Sequence, residues 1–259
     1  MTPFLKQVAG HFYSEGNIPE RCFIFPNRRS MVFFRKYLSE AVASDRTAEP
    51  FIAPQMLTIN DFFYKVCETA AADRIGLLVD LYECYRKLNP KAESLDEFVF
   101  WGDVILGDFN DVDKYLVDPK QLFANVADYK ALQDTFEYLT ETQREAIKGF
   151  LSHFNDQSGK LTVDLGSDDP DVKGRFLQIW NILYPLYMDY NELLKSRNMA
   201  YEGMVYREVA ETLGHSAIDE LFPSELQYVF VGLNALNECE KYLLRKLRDA
   251  GRAEFCWDW

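Results

Sequence analysis

Apolar positions change their period twice along the chain. Residues 4–14 put Phe4, Val8 and Phe12 at the three-to-four-residue spacing of an amphipathic helix, which Gly16 and Pro19 break. Arg21–Pro26 (RCFIFP) is a compact apolar run closed by proline, the pattern of a strand buried on both faces. The polar stretch Asn27-Arg28-Arg29-Ser30 reads as a turn, with Ser30 as the N-cap of a helix over about 31–43. Met56–Ile59 is a second strand candidate, and Asn60 or Asp61 suits the cap of a helix starting at Phe62. From there to about residue 215 the helical period dominates, in blocks near 73–88, 95–106, 119–127, 130–154, 172–196 and 202–213. Asn89-Pro90, Asp118-Pro119 and Gly166–Pro170 separate blocks, and Ser158–Leu165 reads as a small extended loop. Strand character returns at Gln227–Gly232, followed by a helix over Glu238–Ala250, a stop at Gly251 and a last strand in Ala253–Trp257.

Short apolar strands joined by helices predict an α/β fold, a parallel sheet covered on both faces. The expected core is residues 1–72 plus 200–259, and the expected helical insertion lobe is residues 73–199. The chain ends in or just after a strand, which is expected of a truncated piece.

Bulk properties narrow the classes. With 48% hydrophobic and 15% aromatic residues among 259, the chain is not an intrinsically disordered one. No apolar run reaches the ~20 residues of a membrane span, and the opening MTPFLKQVAGHFYSEG lacks the pattern of a secretory signal. A cytoplasmic protein without membrane partners is therefore expected. Five cysteines without a C-x-x-C pair read as reduced core thiols, and the scattered His11, His153 and His215 offer no zinc spacing. The net charge of −13 argues against a broadly basic surface that coats nucleic acid, which confines any DNA contact to a local groove.

Ligands of open parallel sheets sit at the carboxyl ends of the strands, so the informative residues are Pro26–Ser30, Thr58–Phe62 and Gly232–Glu240. Arg28 and Arg29 can contact phosphates, with Asn27 and Ser30 as neighbouring donors and a helix N-terminus beneath them; the same residues also make an ordinary solvated turn. Thr58 and Asn60 can donate to a phosphate or cap the next helix. Glu240 reads as a first-turn carboxylate that favours the helix dipole. Asp108, Asp111, Asp113 and Asp118 lack the order of a calcium loop and read as a turn between helices. Tyr13, Phe33, Phe34, Phe62, Phe63, Trp101, Trp180, Tyr184, Tyr187 and Tyr190 include candidates for base stacking, with core packing the default. No Ser-His-Asp, Cys-His or paired-Glu arrangement stands out.

Four stretches carry a family resemblance, in collinear order. FIFPNRRSMVFFRKYL resembles the motif Ia strand and turn of superfamily 1 helicases of the UvrD kind, and MLTINDFF resembles the T-[FI]-[HN]-x-[FL] motif that follows it. YVFVGLNALNECEKYLLRKL stands where motif II belongs, and AEFCWDW where the motif III strand belongs. Together they are similar to the N-terminal helicase-like region of AddB-type subunits of helicase–nucleases. The resemblance implies a degenerate RecA-like (P-loop NTPase-like) sheet with a helical insertion. It also implies Asn27, Arg28, Arg29, Ser30, Thr58 and Asn60 as contacts to single-stranded DNA.

The departures from the motor pattern define the expected role. Phosphate cradling needs G-x-x-x-x-G-K-[ST], and the only Gly-Lys here is Gly159-Lys160, followed by Leu161. The Asp-Glu pair that holds magnesium and activates water is replaced by Gly232-Leu233. The resemblance therefore implies an inactivated helicase module with no cofactor and no catalytic residue of its own. Such a module would hold single-stranded DNA during double-strand break repair, beside an AddA-like motor helicase subunit. A PD-(D/E)XK nuclease domain would lie further along the same chain. The alternative is a protein–protein scaffold that links motor and nuclease without touching DNA.

Overall fold

The computed structural model describes every residue except 1, 48–50, 68, 91, 128–169, 224 and 259, and only the backbone of 124–127 and 170–181. The helix block expected at 130–154, the loop at Ser158–Leu165, the Gly159-Lys160 pair and His153 lie outside the described residues. The chain divides into two units, residues 1–69 with 205–259, and residues 70–204.

In the first unit, β1 (Arg21–Phe25), β2 (Gln55–Thr58), β5 (Gln227–Val231) and β6 (Ala253–Cys256) form a four-stranded sheet in the order β2-β1-β5-β6. Every pairing is parallel, with Cys22 opposite Gln55 and Tyr228, and Phe230 opposite Phe255. The pleat sends alternate residues to opposite faces. Phe23, Phe25, Val229 and Val231 pack with Val8, Ala9 and Phe12 of α1 (Phe4–Glu15) and with Phe34 and Leu38 of α2 (Arg28–Ser44). On the other face, Tyr228 and Phe230 meet Phe62 of α3 (Ile59–Cys67), which also touches Phe222. Each fully buried aromatic of this kind contributes about 1.5–3 kcal/mol of transfer free energy.

The strand order has a mechanical consequence. The chain leaves β1 towards β2 through α2, and leaves β5 towards β6 through α10 (Glu238–Asp249), in opposite directions across the sheet. Right-handed crossovers then require α2 and α10 on opposite faces. The point where the direction reverses lies between β1 and β5, the place where open α/β sheets take ligands at their carboxyl edge.

The second unit holds α4 (Arg74–Leu88), α5 (Leu95–Lys114), α6 (Pro119–Ala127) and α7 (Pro170–Ser196). The first residues of α8 (Glu202–His215) also belong to it; from Val205 onward α8 is part of the first unit, as is the short α9 (Ile218–Leu221). A two-stranded parallel sheet, β3 (Ala70–Ala71) with β4 (Met199–Ala200), adds strand structure that the helical period does not reveal. Asp113 is fully buried and accepts hydrogen bonds from the hydroxyls of Tyr187 and Tyr201, joining three separate segments. Gly203 is required where it stands, because a Cβ there would come within 2.5 Å of the Asn110 carbonyl oxygen.

Several sequence expectations are corrected. The helix after β1 begins at Arg28, not 31, and Asn27 rather than Ser30 is its N-cap. The helix after β2 begins at Ile59, and its first-turn amide is capped by Thr58. Asp108, Asp111 and Asp113 lie inside the continuous α5 rather than in a turn; only Asp118, whose Oδ1 accepts from the amides of Lys120 and Gln121, opens a new helix. Cysteines are free, but only Cys22, Cys84 and Cys239 are buried, with Cys67 and Cys256 half-buried. Burial pushes the Cys22 thiol up to about 12, against a weaker lowering pull from Lys65, so it is inert at neutral pH.

Candidate functional site

The carboxyl edge of the sheet carries three strand-to-helix turns, each capped by a side chain. After β2, Thr58 is buried, its Oγ1 accepts from the Asp61 amide at 3.1 Å, and Asp61 Oδ2 accepts in return from the Thr58 amide at 3.4 Å. The hydroxyl oxygen thus closes α3 as an acceptor. Asn60 is half-buried and its Oδ1 accepts from the Tyr206 hydroxyl at 2.8 Å, above the stack of Phe63 and Tyr206 at 3.8 Å. Both residues serve the packing of α3.

After β5, Gly232 takes φ +68°, a left-handed conformation that glycine adopts without strain. Its amide donates to the Cys256 carbonyl at 2.9 Å, and a Cβ at this position would meet the Phe4 ring at 3.4 Å. Leu233 is buried, and neither residue after the strand has a side-chain oxygen to present to the edge. Asn237 and Glu240 then form a reciprocal capping box, each side chain accepting the other's amide at 2.9 Å. Glu238 adds a second carboxylate to the first turn, and a hydrogen bond from Lys241 holds it below the usual carboxylate range.

After β1 the arrangement is different. Asn27 Oδ1 accepts from the Ser30 amide at 3.0 Å and from its hydroxyl at 3.2 Å. No acid occupies the first turn of α2. Arg28 and Arg29 fill its first two positions, both exposed, and neither makes a hydrogen bond or ion pair among the described residues. At the opposite edge, by contrast, Arg21 is nearly buried. It donates to the Gly16 carbonyl at 2.9 Å, pairs with Glu15 at 3.0 Å and lies over the Phe12 ring at 4.7 Å.

Of the sequence-predicted set, the fold gathers Asn27, Arg28, Arg29 and Ser30 into one exposed turn, while Thr58 and Asn60 are held in packing and capping roles. Phe33, one of the base-stacking candidates for which core packing was the default, is instead 44% exposed; what sequence reasoning missed is the rest of that solvent face of α2, where Val32 is 49% exposed and Arg35 and Lys36 flank the pair. The absence of any acid between residues 28 and 39 was a readable signal. No group of His, Cys, Asp and Glu among the described residues could hold a metal ion. Among those residues no helix is long and apolar enough to cross a membrane. No protein-family model matches the chain, and no curated protein matches it.

Proposed function

We propose that the chain is a non-catalytic, helicase-like module that holds single-stranded DNA by its backbone at the turn after β1. One observation carries the reading: two arginines that make no hydrogen bond or ion pair among the described residues occupy the positive end of a 17-residue helix, at the edge and switch point of a parallel sheet. A cation at a helix N-terminus is unfavourable by about 0.3–1 kcal/mol at an exposed position. Local choices that oppose their own helix concentrate at functional sites. An incoming phosphate reverses the sign of that term, because it meets both guanidinium groups and the helix dipole.

The wider reading rests on the collinear motifs. The sheet would be a degenerate RecA-like core of an AddB-type subunit in double-strand break repair. With Gly232 and Leu233 in place of the Asp-Glu pair, magnesium has no ligand there, and the pull on the strand would come from an AddA-like motor subunit. A nuclease domain elsewhere in the same chain would receive the strand.

Fluorescence anisotropy with a labelled single-stranded oligonucleotide across a salt series tests this reading. Binding that weakens with salt and falls in the Arg28→Ala/Arg29→Ala variant supports it. Unchanged binding in that variant refutes it.

A second reading, a scaffold without DNA contact, is favoured by exposed apolar side chains on α4 and α5. Ile75, Val79, Leu95 and Val99 there are 76%, 37%, 37% and 40% exposed. Loss of co-purification with the motor subunit in Ile75→Ser/Val99→Ser, with no DNA binding by the parent chain, selects it.

A further inference from the structure

The exposed face of α2 extends the basic turn into a stripe. Arg28 and Val32, Arg29 and Phe33, Val32 and Lys36 are four residues apart and therefore neighbours on the helix surface. Arg35 is exposed beside them. Lys6 of α1 reaches the same region, with its Nζ 5.9 Å from the Tyr37 ring centroid. Glu40 on the same helix already faces Lys6 at 3.4 Å and Lys36 at 3.9 Å. In a chain of net charge −13 this concentration of positive charge matches a polyanion.

The aromatic content of the stripe narrows the polyanion. Phe33 is 44% exposed and stacks on Tyr37, with ring centroids 6.3 Å apart and planes inclined by 29°. An exposed ring on a second ring, flanked by guanidinium groups that pair with nothing among the described residues, is the combination that takes an unpaired nucleobase while its phosphates lie on the arginine and lysine side chains. A duplex keeps its base faces stacked inside and has none to offer.

We propose that Phe33, supported by Tyr37, is a base-stacking platform for single-stranded nucleic acid, with Arg28, Arg29, Arg35 and Lys36 tracking its phosphates. This rests on the reading of Arg28 and Arg29 above and gives it a base contact as well as a backbone contact. It makes the module selective for single strands that carry bases.

The test uses the 259-residue chain, an oligothymidylate and an abasic oligomer of the same length. A third probe carries 2-aminopurine, whose fluorescence falls on stacking. Because Phe33 is exposed, Phe33→Ala is expected to keep the parent circular dichroism spectrum. It weakens oligothymidylate binding by roughly five- to hundredfold and removes the 2-aminopurine quench, with the salt dependence unchanged. Phe33→Trp restores both. The parent binds the abasic oligomer as weakly as Phe33→Ala binds oligothymidylate. Parent-like binding by Phe33→Ala, or equal affinity of the parent for abasic and base-bearing strands, overturns the platform. In either case a loss in Arg28→Ala/Arg29→Ala keeps the backbone reading standing. If neither variant changes binding, or the parent binds no probe at low salt, both fall together.

Discussion

Two turns leave the same edge of one sheet, each opened by an asparagine cap, and they are finished in opposite ways. At α10 the first three positions are Glu238, Cys239 and Glu240, and the last returns to the cap amide. At α2 they are Arg28, Arg29 and Ser30, and nothing negative returns. The α10 turn satisfies its own amides and its own dipole, so it has little to offer a ligand. The α2 turn leaves the dipole uncompensated and adds two positive charges to it. Burial and capping therefore separate a closed turn from an open one within one fold.

The contrast can be broken at its closed side first. Glu240→Ala strips the reciprocal bond from a buried capping box and is expected to lower stability by about 1–2 kcal/mol. A shifted urea midpoint reads it. Asn27→Ala, which removes a single exposed cap, costs about 1 kcal/mol by the same measurement.

Converting the open turn into a closed one sharpens the comparison from the other side. Ser30→Glu supplies the missing acid at the third position, completing a capping box with Asn27. It is expected to raise stability by about 0.5 kcal/mol while weakening single-stranded DNA binding, because the new carboxylate occupies the place of a phosphate. A gain in stability with unchanged affinity would separate the cap from the binding site.

Acid gives the smallest effect. Lys241 holds the folded-state pKa of Glu238 below its ordinary value, so its contribution is complete above the unfolded pKa and fades as pH falls through the lowered one. The urea midpoint should therefore fall slightly as pH drops below about 4, and Glu238→Gln should lose that part of the pH dependence. An equal fall in the parent and in Glu238→Gln would contradict the assignment.

The sheet was legible because RCFIFP and QYVFVG are apolar runs ended by residues that stop strands, and Pro26 and Gly232 do end them. The start of α2 was displaced by three residues for a physical reason. Asn27 and Ser30 are both competent caps, and two arginines in a first turn look like loop, since a helix start ordinarily favours acids. The feature that concealed the helix is the one on which the proposed site rests. Asp113 was read as part of a turn because aspartate is a poor helix former. Its two tyrosine partners lie 74 and 88 residues away, beyond any local pattern. The β3–β4 pairing was hidden likewise, since two residues carry no period.

The central claim, that Arg28 and Arg29 oppose the fold in order to bind, is tested most directly by one paired measurement on Arg28→Ala/Arg29→Ala. Urea unfolding and single-stranded DNA affinity would be recorded on the same preparation. The predicted result is a stability gain of about 0.5–1 kcal/mol together with an affinity loss on the order of a hundredfold at low salt. A stability loss with unchanged affinity would contradict the account and make the two arginines an ordinary part of the helix.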